Sequence, residues 1–149
     1  MENLFTIKEI DISYSNSTIK TDRKTIKSSF DAKDIFKSAI ANTIEYNETF
    51  MVLALNNSNE VLGIKKIGVG GITATLVDVR LLFQTVLKAH ATGFIVCHNH
   101  PSGKTTPSTA DKKLTQKIKE AATLLDLNFL DHLIITKNDA LSFADENLL

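Results

Sequence analysis

The sequence predicts an α/β domain in which a mixed β-sheet packs between helices. Short apolar segments rich in β-branched residues, typical of buried strands, alternate with segments whose apolar residues recur at helical spacing. A short polar turn separates two of the strand-like segments and predicts a hairpin between them. Helices interleaved with strands and hairpins favour a sheet that combines different strand directions and is covered by helices.

In the first half of the chain the pattern predicts a strand, a helix and a hairpin. Residues 5–14 alternate loosely between apolar and polar side chains, as in a strand, and a polar stretch follows as far as Lys27. Asp31 is placed to cap a helix whose apolar positions recur at helical spacing, namely Ile35, Phe36, Ala39, Ile40 and Ile44. The apolar run 50–55 and the segment 61–67 flank a polar turn, so they form the predicted hairpin.

The second half continues the alternation of helices and strands. Residues 68–71 are rich in glycine, but no Gly-Lys-Ser/Thr follows them, so a chain reversal is a better interpretation than a nucleotide-binding loop. Beyond them, apolar residues at helical spacing and short β-branched runs predict helices over 79–90 and 108–125 and strands over 94–98, 130–136 and 141–143.

The segment 97–111 is the most informative in the chain, with the sequence Cys-His-Asn-His-Pro-Ser-Gly-Lys-Thr-Thr-Pro-Ser-Thr-Ala-Asp. Side chains two apart on a strand share a face, so His98 and His100 point together, whereas Cys97 and Asn99 point away. Asp111 lies in the opening turns of the next predicted helix. Two imidazoles and one carboxylate leave a fourth tetrahedral position for water, a pattern typical of catalytic zinc.

Helix capping is the competing interpretation of the same segment. Thr106 is placed as N-cap with Pro107 at the first helical position, and Ser108 with Asp111 fits a capping box that needs no metal. Capping does not explain two histidines on one face of an apolar strand end, where an unpaired imidazole is costly to bury. The two interpretations are compatible, because the capping turn can also present Ser108 and Asp111 to the histidines.

Composition narrows the class of protein. The chain has 149 residues, enough for one domain, with 17 basic and 17 acidic side chains, whereas nucleic-acid binders usually carry a strongly basic face. It has no apolar stretch long enough to span a membrane and no basic-then-apolar N-terminal signal, so we expect a cytoplasmic protein. Its single cysteine, Cys97, cannot form an internal disulfide, and a buried core thiol is a better interpretation than a nucleophile.

The motif resembles that of the RadC-like branch of the JAB/MPN metallopeptidase superfamily. Its members carry a His-x-His pair, then seven residues and a Ser, then two residues and an Asp, with a Glu well upstream. Here His98, His100, Ser108 and Asp111 have that spacing, and the upstream residue corresponds to Glu48. Further similarity lies at Thr115, Asp131-His132 and Ser142-Phe143, and it covers most of the chain from about Ser29 onward.

The resemblance implies a fold and a chemistry. It implies a single JAB/MPN domain over 1–149, with 1–28 as an N-terminal strand and polar extension, 29–149 as the metal-site core, and the three-layer architecture also found in cytidine deaminases. It further implies a Zn²⁺-dependent hydrolase of a peptide, isopeptide or related amide bond, acting on an unknown protein or peptide. The metal ligands would be His98, His100 and Asp111. Glu48 would move the proton of the zinc-bound water, and Ser108 would hydrogen-bond the water or the oxyanion.

Some features leave alternatives open. Without the resemblance, Glu45 and Glu60 would be as eligible as Glu48. The family often has Pro-Arg-Glu where this chain has Asp78-Val79-Arg80-Leu81, which puts a role for Arg80 in doubt. We expect His132 to pair structurally with Asp131 or a backbone group.

A second hypothesis for the function is a DNA-associated repair or recombination protein, although we expect no helix-hairpin-helix domain and the charge does not support DNA binding. A third is a non-catalytic metal-binding scaffold. The oligomeric state cannot be predicted from these residues.

Overall fold

The computed structural model describes residues 22–71 and 76–149, together with residues 10, 13 and 15. The strand predicted over 5–14 lies largely outside the described residues. Within them the elements are α1 (Ser29–Ala39), β1 (Thr49–Leu55), β2 (Val61–Val69), α2 (Val79–Lys88), β3 (Gly93–Asn99), α3 (Thr109–Leu124), β4 (Asn128–Ile135) and β5 (Ala140–Ser142). Among these helices, none is both long and apolar enough to cross a membrane.

The strands form a mixed five-stranded sheet in the order β2-β1-β3-β4-β5. β1 pairs antiparallel with β2 and with β3, β3 pairs parallel with β4, and β4 pairs antiparallel with β5. The parallel pair is joined by α3, as expected because parallel neighbours need a crossover connection. The predicted α/β class with a mixed sheet between helices is confirmed, and β3 lies at the centre of the sheet.

Helices cover both faces of the sheet and create two separate apolar layers. On one face Phe36 of α1 packs with Met51 and Leu53 of β1. On the other face α2 and α3 pack over Phe50 and Val52, the alternate residues of the same strand. All seven residues of β1 and all seven of β3 are buried, because both strands have helices on each side. Each face of β3 therefore points into a different layer, and this separation determines the surroundings of the motif residues.

The ends of several elements differ from the predictions because local hydrogen bonds decide them. α1 begins at Ser29, so Asp31 is not its N-cap. Asp31 lies inside the first turn, where its carboxylate accepts hydrogen bonds from the backbone N–H groups of Lys27 (2.8 Å) and Ser28 (3.1 Å). The chain reversal predicted for 68–71 is wrong at its start, since β2 continues through Val69 against β1.

The start of α3 resolves the competition between two capping signals. Ser108 is the N-cap, and its side-chain oxygen accepts the backbone N–H of Asp111 at 3.0 Å. The Asp111 carboxylate accepts the Ser108 N–H in return at 2.7 Å, which completes a capping box. The prediction of Thr106 as N-cap with Pro107 at the first helical position is wrong, because the reciprocal pair lies two residues further on.

Candidate metal centre

The central strand β3 directs its last residues to opposite faces of the sheet. His98 is buried on the face covered by α3, as expected from the alternation of side chains. Cys97 and Asn99 lie on the other face, where Cys97 packs in the layer beneath α1. Burial raises the pKa of the Cys97 thiol well above its ordinary value, so this residue is a core thiol as predicted.

Three nitrogen and oxygen donors converge at the end of β3. His98 Nε2 lies 3.0 Å from His100 Nε2 and 3.2 Å from Asp111 Oδ1, and His100 Nε2 lies 3.5 Å from Asp111 Oδ2. Ligands about 2.0–2.1 Å from a tetrahedral zinc ion are separated by about 3.3 Å, so these spacings suit one ion. These three residues form a cluster that could hold a metal ion, and the structure brings together the set that the sequence motif predicted.

The Asp111 carboxylate serves the helix and the cluster simultaneously. Oδ2 accepts the Ser108 N–H of the capping box, whereas Oδ1 lies nearest to His98. Burial alone raises the pKa of Asp111, but the His100 and His98 rings, which can donate hydrogen bonds to this carboxylate when they are protonated, and the attraction of the His98 ring outweigh burial and hold the pKa far below the ordinary range. The capping box thus fixes a carboxylate that stays ionised, which is the form that a metal ion requires.

A backbone carbonyl fixes the orientation of His100. Its Nδ1 lies 2.7 Å from the carbonyl oxygen of Lys104, which can only accept, so Nδ1 carries the proton. The lone pair of His100 is therefore on Nε2 and faces Asp111. Protonation of His100 adds an Nε2–H that can donate to the Asp111 carboxylate; this hydrogen bond is the main reason that the pKa of His100 is raised, while burial opposes the rise and the Lys104 carbonyl adds to it.

Glu48 lies at the edge of this cluster, immediately before β1. Its backbone is held by Gly70, whose N–H donates to the Glu48 carbonyl at 2.8 Å, and by Gly71, whose carbonyl accepts the Glu48 N–H at 3.2 Å. Burial raises the pKa of the half-buried Glu48 carboxyl, while the nearby His98 and His100 rings lower it in part. The residue is close enough to interact electrostatically with the cluster, although it is not one of the three converging donors.

The competing glutamates have other partners. Glu45 is exposed and pairs with Lys137 at 3.1 Å on the surface. Glu60 lies at the far end of the β1–β2 hairpin, where its carboxylate accepts from the Asn56 side chain at 2.8 Å. Of the three glutamates eligible from sequence alone, the structure places Glu48 beside the histidines.

Asn99 is buried on the opposite face of β3 and holds the segment that carries Glu48. Its side-chain oxygen accepts the Thr49 N–H at 2.7 Å, and its amide donates to the carbonyls of Ile44 at 2.8 Å and Asn47 at 2.9 Å. The sequence predicted only that Asn99 points away from the histidines. The structure shows that it links the His98-x-His100 strand to the backbone on both sides of Glu48.

The ring of His132 on β4 lies beside the cluster, a position that no local pattern in the sequence indicates. Asp131 does accept the His132 backbone N–H at 2.7 Å, but the buried His132 ring lies against His98, with Nε2 2.8 Å from His98 Nδ1. The expected pairing of His132 with Asp131 is thus present through the His132 backbone, whereas the ring pairs with the side chains of His98 and Thr115. Burial, which is the largest influence, lowers the pKa of His132 well below its ordinary value, so the ring is neutral at physiological pH.

Arg80 occupies the first turn of α2. Its guanidinium forms two 3.0 Å hydrogen bonds with Asp78, the N-cap residue, and the Arg80 side chain is otherwise exposed. This pairing accounts for Arg80 through the local structure of the helix terminus.

A three-layer α/β fold with one histidine at the end of the central strand, a second just after it, an aspartate in the first turn of a helix and a glutamate beside them defines a JAB-type domain. The family model described as RadC-like JAB domain matches residues 26–148, and the chain belongs to that family. The resemblance inferred from the motif is confirmed.

Several curated bacterial proteins are similar to this chain. A UPF0758 protein of Flavobacterium johnsoniae is 50% identical over 125 residues, which cover 84% of this chain and 54% of that protein. A UPF0758 protein of Haemophilus ducreyi is 44% identical over 102 residues, covering 68% and 46% of the two chains. One of Porphyromonas gingivalis is 44% identical over 103 residues, covering 68% and 45%. The chain spans about half the length of the curated relatives it matches.

Proposed function

We propose that this protein is a zinc-dependent hydrolase that cleaves a peptide, isopeptide or related amide bond. The observation that carries the proposal is the convergence of the three donor atoms, all within 4.8 Å of one another, beside the carboxyl of Glu48. Three protein ligands leave a tetrahedral zinc ion one open position, which distinguishes catalytic sites from structural ones.

The chain's own residues suit this chemistry. His98, His100 and Asp111 would hold the ion, which when bound acidifies a water molecule and polarises a carbonyl group. Glu48 has a raised pKa, so its carboxylate is a better proton acceptor than an exposed one and can later return the proton to the leaving amine. A half-buried carboxyl next to the donor cluster is the arrangement that general acid-base catalysis needs.

Ser108 would assist by hydrogen bonding. Its Oγ already accepts the Asp111 N–H at 3.0 Å, which leaves the hydroxyl proton able to donate. The residue is exposed at the N-terminus of α3, where the helix dipole also favours negative charge. We therefore assign Ser108 to stabilising the water or the oxyanion that develops on the substrate.

The test separates metal binding from hydrolysis. Purified protein, loaded with one equivalent of Zn²⁺, is incubated with a library of fluorogenic peptides and isopeptide-linked peptides, and zinc stoichiometry is measured in parallel. Glu48→Gln should retain zinc and lose hydrolysis by at least a hundredfold, in the range that proton transfer contributes. Glu45→Gln, only three residues away on the surface, is the matched control and should behave as the unmodified chain.

Two outcomes would contradict the proposal. Undiminished turnover by Glu48→Gln would remove the assignment of the proton carrier. Stoichiometric zinc binding without turnover of any amide substrate, in a protein that remains folded, would favour the metal-binding scaffold instead.

A further inference from the structure

A chain of hydrogen bonds runs from one candidate metal ligand to another through two residues outside the cluster. His98 Nδ1 lies 2.8 Å from His132 Nε2, and His132 Nδ1 lies 2.7 Å from Thr115 Oγ1. Thr115 Oγ1 in turn lies 2.8 Å from the backbone carbonyl of Asp111, one helical turn earlier in α3. All three side chains are almost completely buried, so these groups are shielded from water as alternative partners.

The last link fixes the direction of every bond in this chain. A carbonyl oxygen can only accept, so the single hydroxyl proton of Thr115 points to Asp111. Thr115 must then accept from His132, which places the His132 proton on Nδ1 and its lone pair on Nε2. That lone pair can only accept, so His98 carries its proton on Nδ1.

The position of this proton also determines the state of the second ring nitrogen of His98, Nε2. With the proton on Nδ1, a neutral His98 has its lone pair on Nε2, the atom that faces His100 at 3.0 Å and Asp111 at 3.2 Å. His100 obtains the same orientation from the Lys104 carbonyl, but His98 lies on a strand whose backbone groups are already paired. It therefore depends on a side chain from the neighbouring strand.

We propose that His132 and Thr115 are positioning residues that set the tautomer and ring orientation of His98 for metal binding. This inference rests on the proposed metal site. Packing supports the assignment, because Phe143 stacks on the His132 ring with the centroids 4.6 Å apart and Phe50 stacks on the His98 ring with the centroids 6.1 Å apart, so both ring planes are set by their aromatic neighbours. The pair also ties the strand ligand to the helix ligand, since the chain of bonds ends on the backbone of Asp111.

The decisive variants are at Thr115. Thr115→Val has nearly the same shape but no hydroxyl, so it leaves His132 Nδ1–H without a partner, whereas Thr115→Ser keeps the hydroxyl and is the matched control. Partners of metal-binding histidines typically contribute 10–100-fold to metal affinity. We expect Thr115→Val to weaken Zn²⁺ binding about tenfold, measured by competition with a chromogenic chelator, and Thr115→Ser to retain the original affinity.

His132 gives a second, stronger perturbation. His132→Phe keeps a stacked ring without nitrogen and should weaken zinc binding by roughly ten- to a hundredfold, while His132→Gln, which offers an acceptor oxygen, should restore part of it. Thermal unfolding of the metal-free variants separates a folding defect from a metal-binding defect. If His132→Phe does not fold, the Thr115 pair still decides the question.

Spectroscopy tests the direction of the bonds without measuring activity. In zinc-loaded protein with ¹⁵N-labelled histidine, we expect a ring proton on His98 Nδ1 with a scalar coupling to His132 Nε2 across the hydrogen bond. A proton on His132 Nε2, or unchanged zinc affinity in a folded Thr115→Val protein, would overturn the inference while leaving the metal site intact. If the unmodified chain binds no zinc, the proposed function itself fails.

Discussion

Asn99→Ala should destabilise the protein far more than its small change in size suggests. Asn99 makes three hydrogen bonds to backbone groups, and those to the Thr49 N–H and the Ile44 carbonyl are fully buried. Each buried polar group left without a partner costs about 1–3 kcal/mol, so the two together predict a loss of roughly 2–6 kcal/mol. The third bond, to Asn47, is only partly buried and adds little.

The assay is equilibrium unfolding in urea with the metal-free protein. Asn56→Ala is the matched control, because Asn56 also makes three hydrogen bonds, to Ser58 N–H, to Glu60 N–H and to the Glu60 carboxylate. These groups are exposed or half-buried in the β1–β2 turn, so water replaces the lost partner and we expect less than about 1.5 kcal/mol. The m-value should be unchanged in both variants, since the surface exposed on unfolding is similar.

The result that refutes this reasoning is a loss below about 1 kcal/mol for Asn99→Ala, or equal losses for the two variants. Either would mean that the backbone around Glu48 finds other partners. In a chain that hydrolyses amides as proposed, Asn99→Ala should also lower kcat more than it lowers zinc affinity. Asn99 holds the backbone on both sides of Glu48, but its own side chain lies on the face of β3 opposite the histidines.

Three further predictions concern pH, reactivity and backbone conformation. In the metal-free protein, the lowered pKa of Asp111 stabilises the fold above about pH 4, and this stabilisation is lost on acidification. The raised pKa of His100 stabilises the fold below about pH 6.5, and this stabilisation is lost as the pH rises. Unfolding measured from pH 3 to 9 should therefore show an excess stability between those limits that Asp111→Asn abolishes, and an identical profile in that variant would contradict the assignment. Cys97 should react with a thiol reagent only as fast as the protein unfolds, because its thiol is buried and its pKa is raised; rapid labelling of native protein would be the contrary result. Gly103→Ala should cost about 1 kcal/mol in urea unfolding, since φ is +85° there, and no loss would show that the turn relaxes.

Local patterns in the sequence were sufficient for much of the metal centre. The two histidines share a face because strand side chains alternate, and that periodicity needs no knowledge of the rest of the fold. The capping box of Ser108 and Asp111 is equally local. The prediction of Thr106 as N-cap is wrong because two capping signals overlap within three residues, and the reciprocal hydrogen bonds of Ser108 and Asp111 decide between them.

The remaining site residues depend on contacts between distant segments. Glu48 reaches the histidines because Phe50 pairs with His98 in the β1–β3 register, which no local pattern reveals. His132 faces the same layer because the parallel register places it opposite Val96, two residues before His98. The resemblance to a family identified Glu48, whereas the ring partner of His132 was found only from the three-dimensional arrangement.

The central position of β3 has a kinetic consequence. Its backbone is paired on both sides, by β1 and by β4, and all its residues are buried, so the amides around His98 belong to the last part of the domain to open. Hydrogen exchange there should be limited by global unfolding, while the exposed turn that follows His100 exchanges rapidly.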